Sequence, residues 1–389
     1  MKKYLYSGAL ALAAILTLSA CAKPKLDAKL SVNDIVYMSG SDLKLKDDQT
    51  LVEVSFKLEN TSEDMENELK TSAKQFYLKD KDGKKVTASK IDKGDLPTLF
   101  NKNKNVEDAT DDFGKLEADD YKTVSLFFEV NNDESYKLYF ESKDEKTTLR
   151  EIFSFEKTEG QTVSTSLKDF DGKTTTNVKK AVDAYFNAVL LGGESKDYSK
   201  FVSNDLDKAK GELNQYFSDS LQYSYDATDN IKPTGDEVPK VFGWVQTANR
   251  ERGSYTVDNI IVAKDKAEFN VSMSTISMKA ADDAYGANHP NLTDELKNYL
   301  QSNGANAGNV DQLTRQFYME TYLPNSIKEV NPSAPKTEGT NIFDNYSVEL
   351  TKKDDKWAFP DKDSYVGKWD YYPLFYAYTG QQGTLTRNY

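Results

Sequence analysis

Leu51-Val52-Glu53-Val54-Ser55-Phe56-Lys57-Leu58 decides the fold of the first half of this chain. Val52, Val54, Phe56 and Leu58 fall on one side of an extended backbone, and Glu53, Ser55 and Lys57 fall on the other. That is the period-two pattern of a half-buried strand. Residues 123–130 repeat it with Val124, Leu126, Phe128 and Val130, and residues 135–140 and 151–155 read as further strands. Asn131-Asn132-Asp133-Glu134 and Lys81-Asp82-Gly83-Lys84 supply the turns, because Asn, Asp and Gly tolerate the positive φ that tight hairpins require. Apart from a short stretch near residues 65–74, no helical stripe interrupts the run. The expectation is an all-β sandwich over residues 29–158.

Residues 157–173 are polar and rich in Thr, Ser and Gly, which places a boundary there. Beyond it the period changes. Val178, Ala181, Val182, Tyr185, Phe186 and Val189 make one helical face, preceded by Asn177 as a cap and stopped at Gly192-Gly193. Leu206, Ala209, Leu213, Phe217 and Leu221 make a second. Strands follow, with Tyr255, Val257, Asn259 and Ile261 aligned, then Ala267, Phe269, Val271, Met273 and Thr275. Further helices are expected at 292–301 and 310–322. Tyr346, Val348 and Leu350 open a last hairpin that turns at Asp354-Asp355 and returns through Trp357 and Phe359. Helices, then strands, then a helical insertion at 280–340 before the closing hairpin define an α+β unit over residues 168–368. Each half carries its own apolar faces and is expected to fold as a unit.

Two fold-level resemblances sit on these elements. Leu51–Asn60 with Thr61-Ser62, followed by Phe76-Tyr77-Leu78-Lys79-Asp80-Lys81-Asp82-Gly83, resembles the telokin-like, immunoglobulin-like domain of Gram-positive lipoproteins. The helix at 178–191 and the closing hairpin Val348-Glu349-Leu350-Thr351-Lys352-Lys353-Asp354-Asp355-Lys356-Trp357 resemble the cystatin-like cone of the nuclear-transport-factor-2 superfamily, in the version found in Firmicute lipoproteins of unknown function. The resemblance implies an immunoglobulin-like sandwich followed by a cystatin-like cone. Neither pattern fixes a chemistry.

The N-terminus carries an address. Met1-Lys2-Lys3 is a basic start, the run from Leu5 to Leu18 is apolar, and Leu18-Ser19-Ala20-Cys21 resembles the bacterial lipobox. The resemblance implies a signal peptide at 1–20, removed after Ala20. It also implies a diacylated Cys21 as the new N-terminus, a tether at 21–28, and a place on the extracytoplasmic face of the cell membrane. Cys21 is the only cysteine of 389 residues, which excludes a disulfide framework and a Cys-based zinc site. The net charge of −13 argues against a nucleic-acid partner, which needs a basic face.

Few residues invite chemistry. His289, the only histidine, sits in Ala-Asn-His-Pro-Asn near Asp282, Asp283 and Asp294, and reads either as a general base or as an exposed turn residue. Asp80-Lys81-Asp82-Gly83 and Asp169-Phe170-Asp171-Gly172 start like calcium loops but do not continue as one. The acidic run at 107–120 reads as a solvated loop. No cofactor, metal or catalytic residue is assigned. Tyr185, Tyr216, Trp244, Tyr255, Phe269, Met273 and Trp357 can line a ligand cavity in the cone or fill a dry core. The C-terminal segment at 369–389 holds Trp369, Tyr371 and Tyr372 within six aromatics in ten residues, showing no helical period. These side chains form a stacking platform or pack back onto the body. The function expected is a lipid-anchored, non-enzymatic binding module for a small molecule, glycan or protein. The alternative is a small-molecule binder or a hydrolase or isomerase working in the cone cavity.

Overall fold

The computed structural model of the chain describes residues 27–40, 43–63, 68–91, 111–142, 161–224, 232–334, 346–361 and 373–379. Cys21, the leader, the strand expected at 151–155, and Trp369, Tyr371 and Tyr372 lie outside these described residues.

Nine strands build the described part of the first half: β1 (Ala28–Ser39), β2 (Gln49–Asn60), β3 (Leu69–Ser72), β4 (Phe76–Asp80), β5 (Lys85–Thr87), β6 (Asp112–Leu116), β7 (Tyr121–Asn131), β8 (Tyr136–Ser142) and β9 (Gln161–Ser166). β2 and β7 pair antiparallel with Val52 opposite Phe128, Val54 opposite Leu126 and Phe56 opposite Val124. The two stripes read from sequence therefore meet on one face. Against that face packs a second sheet in the order β5-β4-β8-β9. Phe76 of β4 bridges the layers, 4.6 Å from the ring of Phe56 and 4.9 Å from that of Phe140. Of the stretch near 65–74 where a helix is expected, the described part is strand β3 and a short 3-10 turn at Ala73–Gln75; residues 64–67 lie outside the described residues.

The second half opens on α1 (Thr174–Tyr185), which widens into a π-helical turn at Phe186–Leu190. There follow α2 (Tyr198–Phe201), α3 (Leu206–Ser224), α4 (Glu237–Arg252), β10 (Ser254–Ala263) and β11 (Lys266–Ser274). The helical insertion is α5 (Met278–Asn288), α6 (Leu292–Ser302), α7 (Val310–Phe317), a π turn at Tyr318–Tyr322 and α8 (Leu323–Glu329). Thr275 and Ser333 close its base by exchanging two backbone hydrogen bonds, of 2.9 and 3.0 Å. β12 (Tyr346–Lys353) and β13 (Lys356–Ala358) form the last hairpin, turning at Asp354 and Asp355 with φ of 49° and 61°. A final helix, α9 (Pro373–Thr379), packs on α3 and β12.

One seven-stranded sheet, ordered β13-β12-β11-β10-β1-β2-β7, runs through both halves. The junction is a four-residue pairing, Val36 to Ser39 of β1 against Ala263 to Ile260 of β10. Each of these two strands carries a bulge. In β1 the register shifts between Val32 and Asp34, so Leu30 and Val32 before it share a face with Ile35 and Tyr37 after it. In β10 the shift lies between Asp258 and Ile261, with Asn259 at φ 51°. Tyr255 and Val257 therefore face the core with Ile260 and Val262. Ile261, expected on the Tyr255 side, turns to the back face with Val36, Met38, Leu51 and Phe127. Gly40 fits against this bulge, since a Cβ there would stand 2.4 Å from the Asn259 side chain.

The stretch expected as a boundary is ordered in its described part. β9 pairs with β8 along its whole length. Leu167 is buried, and Phe170 packs edge-on against Tyr136. The Asp171 N–H donates to the Tyr37 hydroxyl at 3.0 Å. Gly172 passes so close to Asn132 that an added Cβ would lie 2.2 Å from its carbonyl oxygen. The stretch is polar because β9 is an edge strand with half of its side chains in solvent.

Candidate functional site

Four described candidates from the sequence are core residues. Tyr185 stacks on Phe359 with centroids 3.9 Å apart, Phe269 lies edge-on to the same ring, and Tyr216 packs against Phe375. Trp357 is buried in β13, where its carbonyl accepts from the Ser203 N–H. Trp244 is half-buried on α4 with the Lys240 ammonium over its ring. Tyr255 and Met273 are different: they sit directly opposite each other at the ends of β10 and β11 and line one pocket of about 250 Å³.

That pocket is built from four places in the chain. The π turn contributes Phe186 and Leu190, and Leu191 follows it. A π turn shifts these side chains from where an α-helix would hold them, and it leaves carbonyls to be satisfied. Gln246 and Arg250, four residues apart on α4, supply the donors. The Gln246 amide donates to Val189 and Leu190 at 3.0 and 3.1 Å, and the Arg250 guanidinium to Leu191 at 2.8 Å. Gly192, at φ 62°, lets the chain turn away beneath Gln246. The α4 end adds Asn249 and Gly253, where any Cβ would meet the Asn249 carbonyl at 2.6 Å. Asn249 is committed to the backbone of Ile276, donating to its carbonyl and accepting from its N–H. Tyr378 of α9 completes the wall.

The polar groups are few. The Tyr255 hydroxyl donates to the Asp183 carboxylate at 3.1 Å, and burial together with that anion pushes its pKa upward. Tyr378 and Thr275 belong to the lining, but their hydroxyls are sealed from the open space, and the Tyr378 hydroxyl lies beside the Asn249 amide. Burial pushes the Tyr378 phenol up, against a smaller downward pull from Asn249 and Arg250. Arg250 is the one charged residue lining the pocket, and no carboxylate or imidazole lines it.

A larger surface groove of about 640 Å³ lies between the start of α3, β12 and residues 358–361. Its charges answer one another: Lys208 pairs with Glu212 at 3.7 Å and with Asp361 at 3.1 Å. The smaller pocket's apolar walls suit a ligand, and the groove's paired charges suit water.

His289 ends α5 and stacks on Tyr285 with centroids 3.9 Å apart. Its Nδ1 lies 3.0 Å from Glu295, and its Nε2 lies 3.2 Å from Glu329. Neither is one of the nearby aspartates of the sequence. Hydrogen bonds to Glu295, then Glu329, raise its pKa, since only the imidazolium has a proton for both carboxylates. The ring ties three helices together and lines neither the pocket nor the groove. In the Asp80 turn, the carboxylate accepts from the N–H groups of Asp82 and Lys84 at 2.9 and 2.8 Å, an ordinary Asx turn. Among the described residues, no group of three or more His, Cys, Asp or Glu is placed to hold a metal.

Sequence reasoning reached Tyr255 and Met273 because strand alternation aims both the same way. It missed Tyr378, whose neighbours Leu374 and Phe375 make a helical face at i, i+1 and i+4 within the aromatic run read as aperiodic. It also missed α4, whose stripe of Val241, Phe242, Val245 and Ala248 is hidden between Pro239 and Gly253.

Fold and pocket together define a β-rich chain with several helices and one small apolar recess where its second half closes. Residues 169–369 match the family described as Domain of unknown function (DUF5105), and the chain belongs to that family. The pocket's lining lies within those residues except for Tyr378. The chain is also similar to the uncharacterized lipoprotein YcdA of Bacillus subtilis (strain 168), 21% identical over 347 residues, which are 87% of this chain and 85% of that protein. The crystal structure of YcdA superimposes with a TM-score of 0.52 at 18% identity, covering 91% of this chain and 97% of that one, a likeness of fold. Among the described residues, no helix is long and apolar enough to cross a membrane.

Proposed function

We propose that this chain is a lipid-anchored protein of the extracytoplasmic face of a bacterial cell membrane that binds a small molecule in the 250 Å³ pocket without transforming it. On this reading residues 1–20 are a leader, 21–28 a tether, 29–158 an immunoglobulin-like unit and 168–368 a cystatin-like cone. The aromatic segment at 369–389 closes the ligand pocket through α9. The lipobox-like Leu18-Ser19-Ala20-Cys21 and the likeness to a protein named as a lipoprotein, YcdA, support the anchor. The observation that carries binding is the pocket itself, with walls that include Phe186, Leu190, Leu191 and Met273 and a single charged residue, Arg250. Binding is favoured over hydrolysis or isomerisation because the lining holds no carboxylate or imidazole to act as a base.

Two experiments test it. The Cys21→Ser chain has no thiol to carry a diacylglycerol and should leave the membrane fraction; pelleting with membranes at high salt would contradict the anchor. For the pocket, a thermal-shift screen of compounds with about ten non-hydrogen atoms or fewer should find ones that raise the melting temperature of the wild-type chain and raise it less in Met273→Trp, which intrudes on the space. Equal shifts in both proteins would contradict binding there.

A further inference from the structure

The polar groups of the pocket's lining are spent on the protein itself, and that limits what the space can hold. The Tyr255 hydroxyl donates to Asp183, and the Asn249 side chain both donates to and accepts from the backbone of Ile276. The Gly253 N–H donates to the Asn249 carbonyl at 2.8 Å. The Leu190 and Leu191 carbonyls accept from Gln246 and Arg250, and the Phe186 carbonyl accepts from the Leu191 N–H. Thr275 exchanges both of its backbone hydrogen bonds with Ser333, and its hydroxyl, like that of Tyr378, is sealed from the open space. Arg250 and Ser254 are exposed residues, so water serves their side chains. The Arg250 guanidinium is also divided between the Leu191 carbonyl at 2.8 Å and the Thr247 hydroxyl at 3.4 Å. The rest of the lining is hydrocarbon and sulfur. Phe186 and Tyr255 stand edge to face with centroids 4.7 Å apart, and Met273 lies opposite Tyr255 on the neighbouring strand. Rings and a thioether make favourable contacts with a further ring. A cavity of about 150 Å³ lined by Leu, Ile and Phe is enough for benzene. The recess of about 250 Å³ therefore has room for one ring with a short substituent.

Resting on the binding reading above, we propose that the pocket is a site for an uncharged, largely hydrocarbon molecule of about one aromatic ring in size. The ring lies against Phe186, Leu190 and Met273, and any polar substituent points outward past Arg250 and Ser254 into water. A carboxylate or an ammonium inside would give up its hydration among groups already committed to one another, a loss that burial of one ring does not offset.

The test is calorimetric titration of the full-length chain with toluene, benzoate and benzylamine at pH 7, three probes that share a ring and differ in charge. Toluene should bind tightest, with benzoate and benzylamine weaker by about tenfold or more. The site is read in the same protein labelled with ¹³C-methyl methionine. The ring current of bound toluene should move the Met273 methyl signal and leave in place that of Met38, buried on the back face of the shared sheet. This readout needs no substitution, so it does not depend on a variant folding. Benzoate or benzylamine that binds as tightly as toluene, with the Met273 signal moving, would overturn the uncharged assignment while leaving a binding pocket in place. Toluene that binds without moving the Met273 signal would put the ring elsewhere and overturn the site. No heat with any probe would overturn the ligand class alone if the thermal-shift screen returns other compounds, and both readings if that screen is silent too.

Discussion

A ring with one proton to give cannot serve two carboxylates, and His289 stands between two. Glu295 on α6 and Glu329 at the end of α8 face its two nitrogens, while Tyr285 stacks beneath it on α5. Its pKa is raised in the folded chain, so its contribution to stability is fully present below the unfolded-state value of about 6.5 and fades as pH rises through the folded value. The expected result is that His289→Gln lowers the melting temperature at pH 6 and has much less effect at pH 9. An effect that is the same at both values would show that the ring acts by packing alone. The histidine itself was conspicuous in the sequence. Its partners were not, because Glu329 is forty positions away and is brought near only by the packing of α8 on α5. Arg252 helps hold that helix in place, donating to the carbonyls of Ile327, Lys328 and Val330 at the α8 terminus.

At the scale of elements, periodicity worked wherever the backbone stayed regular. β2, β7, α3, β11 and the closing hairpin lie where alternation and helical spacing put them. It failed at the bulges, where one extra residue moves every following side chain to the other face. Leu30, Val32, Ile35 and Tyr37 share a side of β1 yet change parity midway, so the strand showed no clean alternation. α9 was hidden for a different reason: nearly every residue of 369–378 is aromatic or apolar, and a stripe has no contrast against such a background. Its buried face carries an expectation. Phe375 is fully buried against Tyr216, and the Thr379 hydroxyl donates to the Phe375 carbonyl. Phe375→Ala should therefore lower unfolding free energy by about 3–5 kcal/mol in denaturant titrations. A loss below about 1 kcal/mol would mean that the C-terminal helix is not a fixed wall of the pocket.

Across the whole molecule, the two halves legible in the sequence are joined in a way the sequence does not advertise. β1 and β10 share only four residue pairs, but the buried hydrophobic cluster is continuous from Phe56 in the first half to Phe269 in the second. Thr50 of β2 lies 3.4 Å from the Thr175 hydroxyl at the start of α1. Pairings between segments more than two hundred residues apart leave no local pattern to read. Residues 29–158 and 168–389 expressed apart should each be less stable than the full chain and should associate when mixed, read by sedimentation. Separate halves that unfold cooperatively at the temperature of the full chain, without association, would show that the shared sheet adds nothing.

On the proposed reading, a lipid-tethered chain holds a small molecule in the pocket between the π turn, the ends of β10 and β11, and α9. Native mass spectrometry of the full chain, purified from the membrane fraction of a bacterial host, tests that most directly. The expected spectrum shows a diacylated protein with one bound species, no larger than the pocket admits, which is held less well in Met273→Trp. A wild-type chain that is empty at every step of purification, or a ligand held equally well when Met273→Trp narrows the pocket, would contradict it.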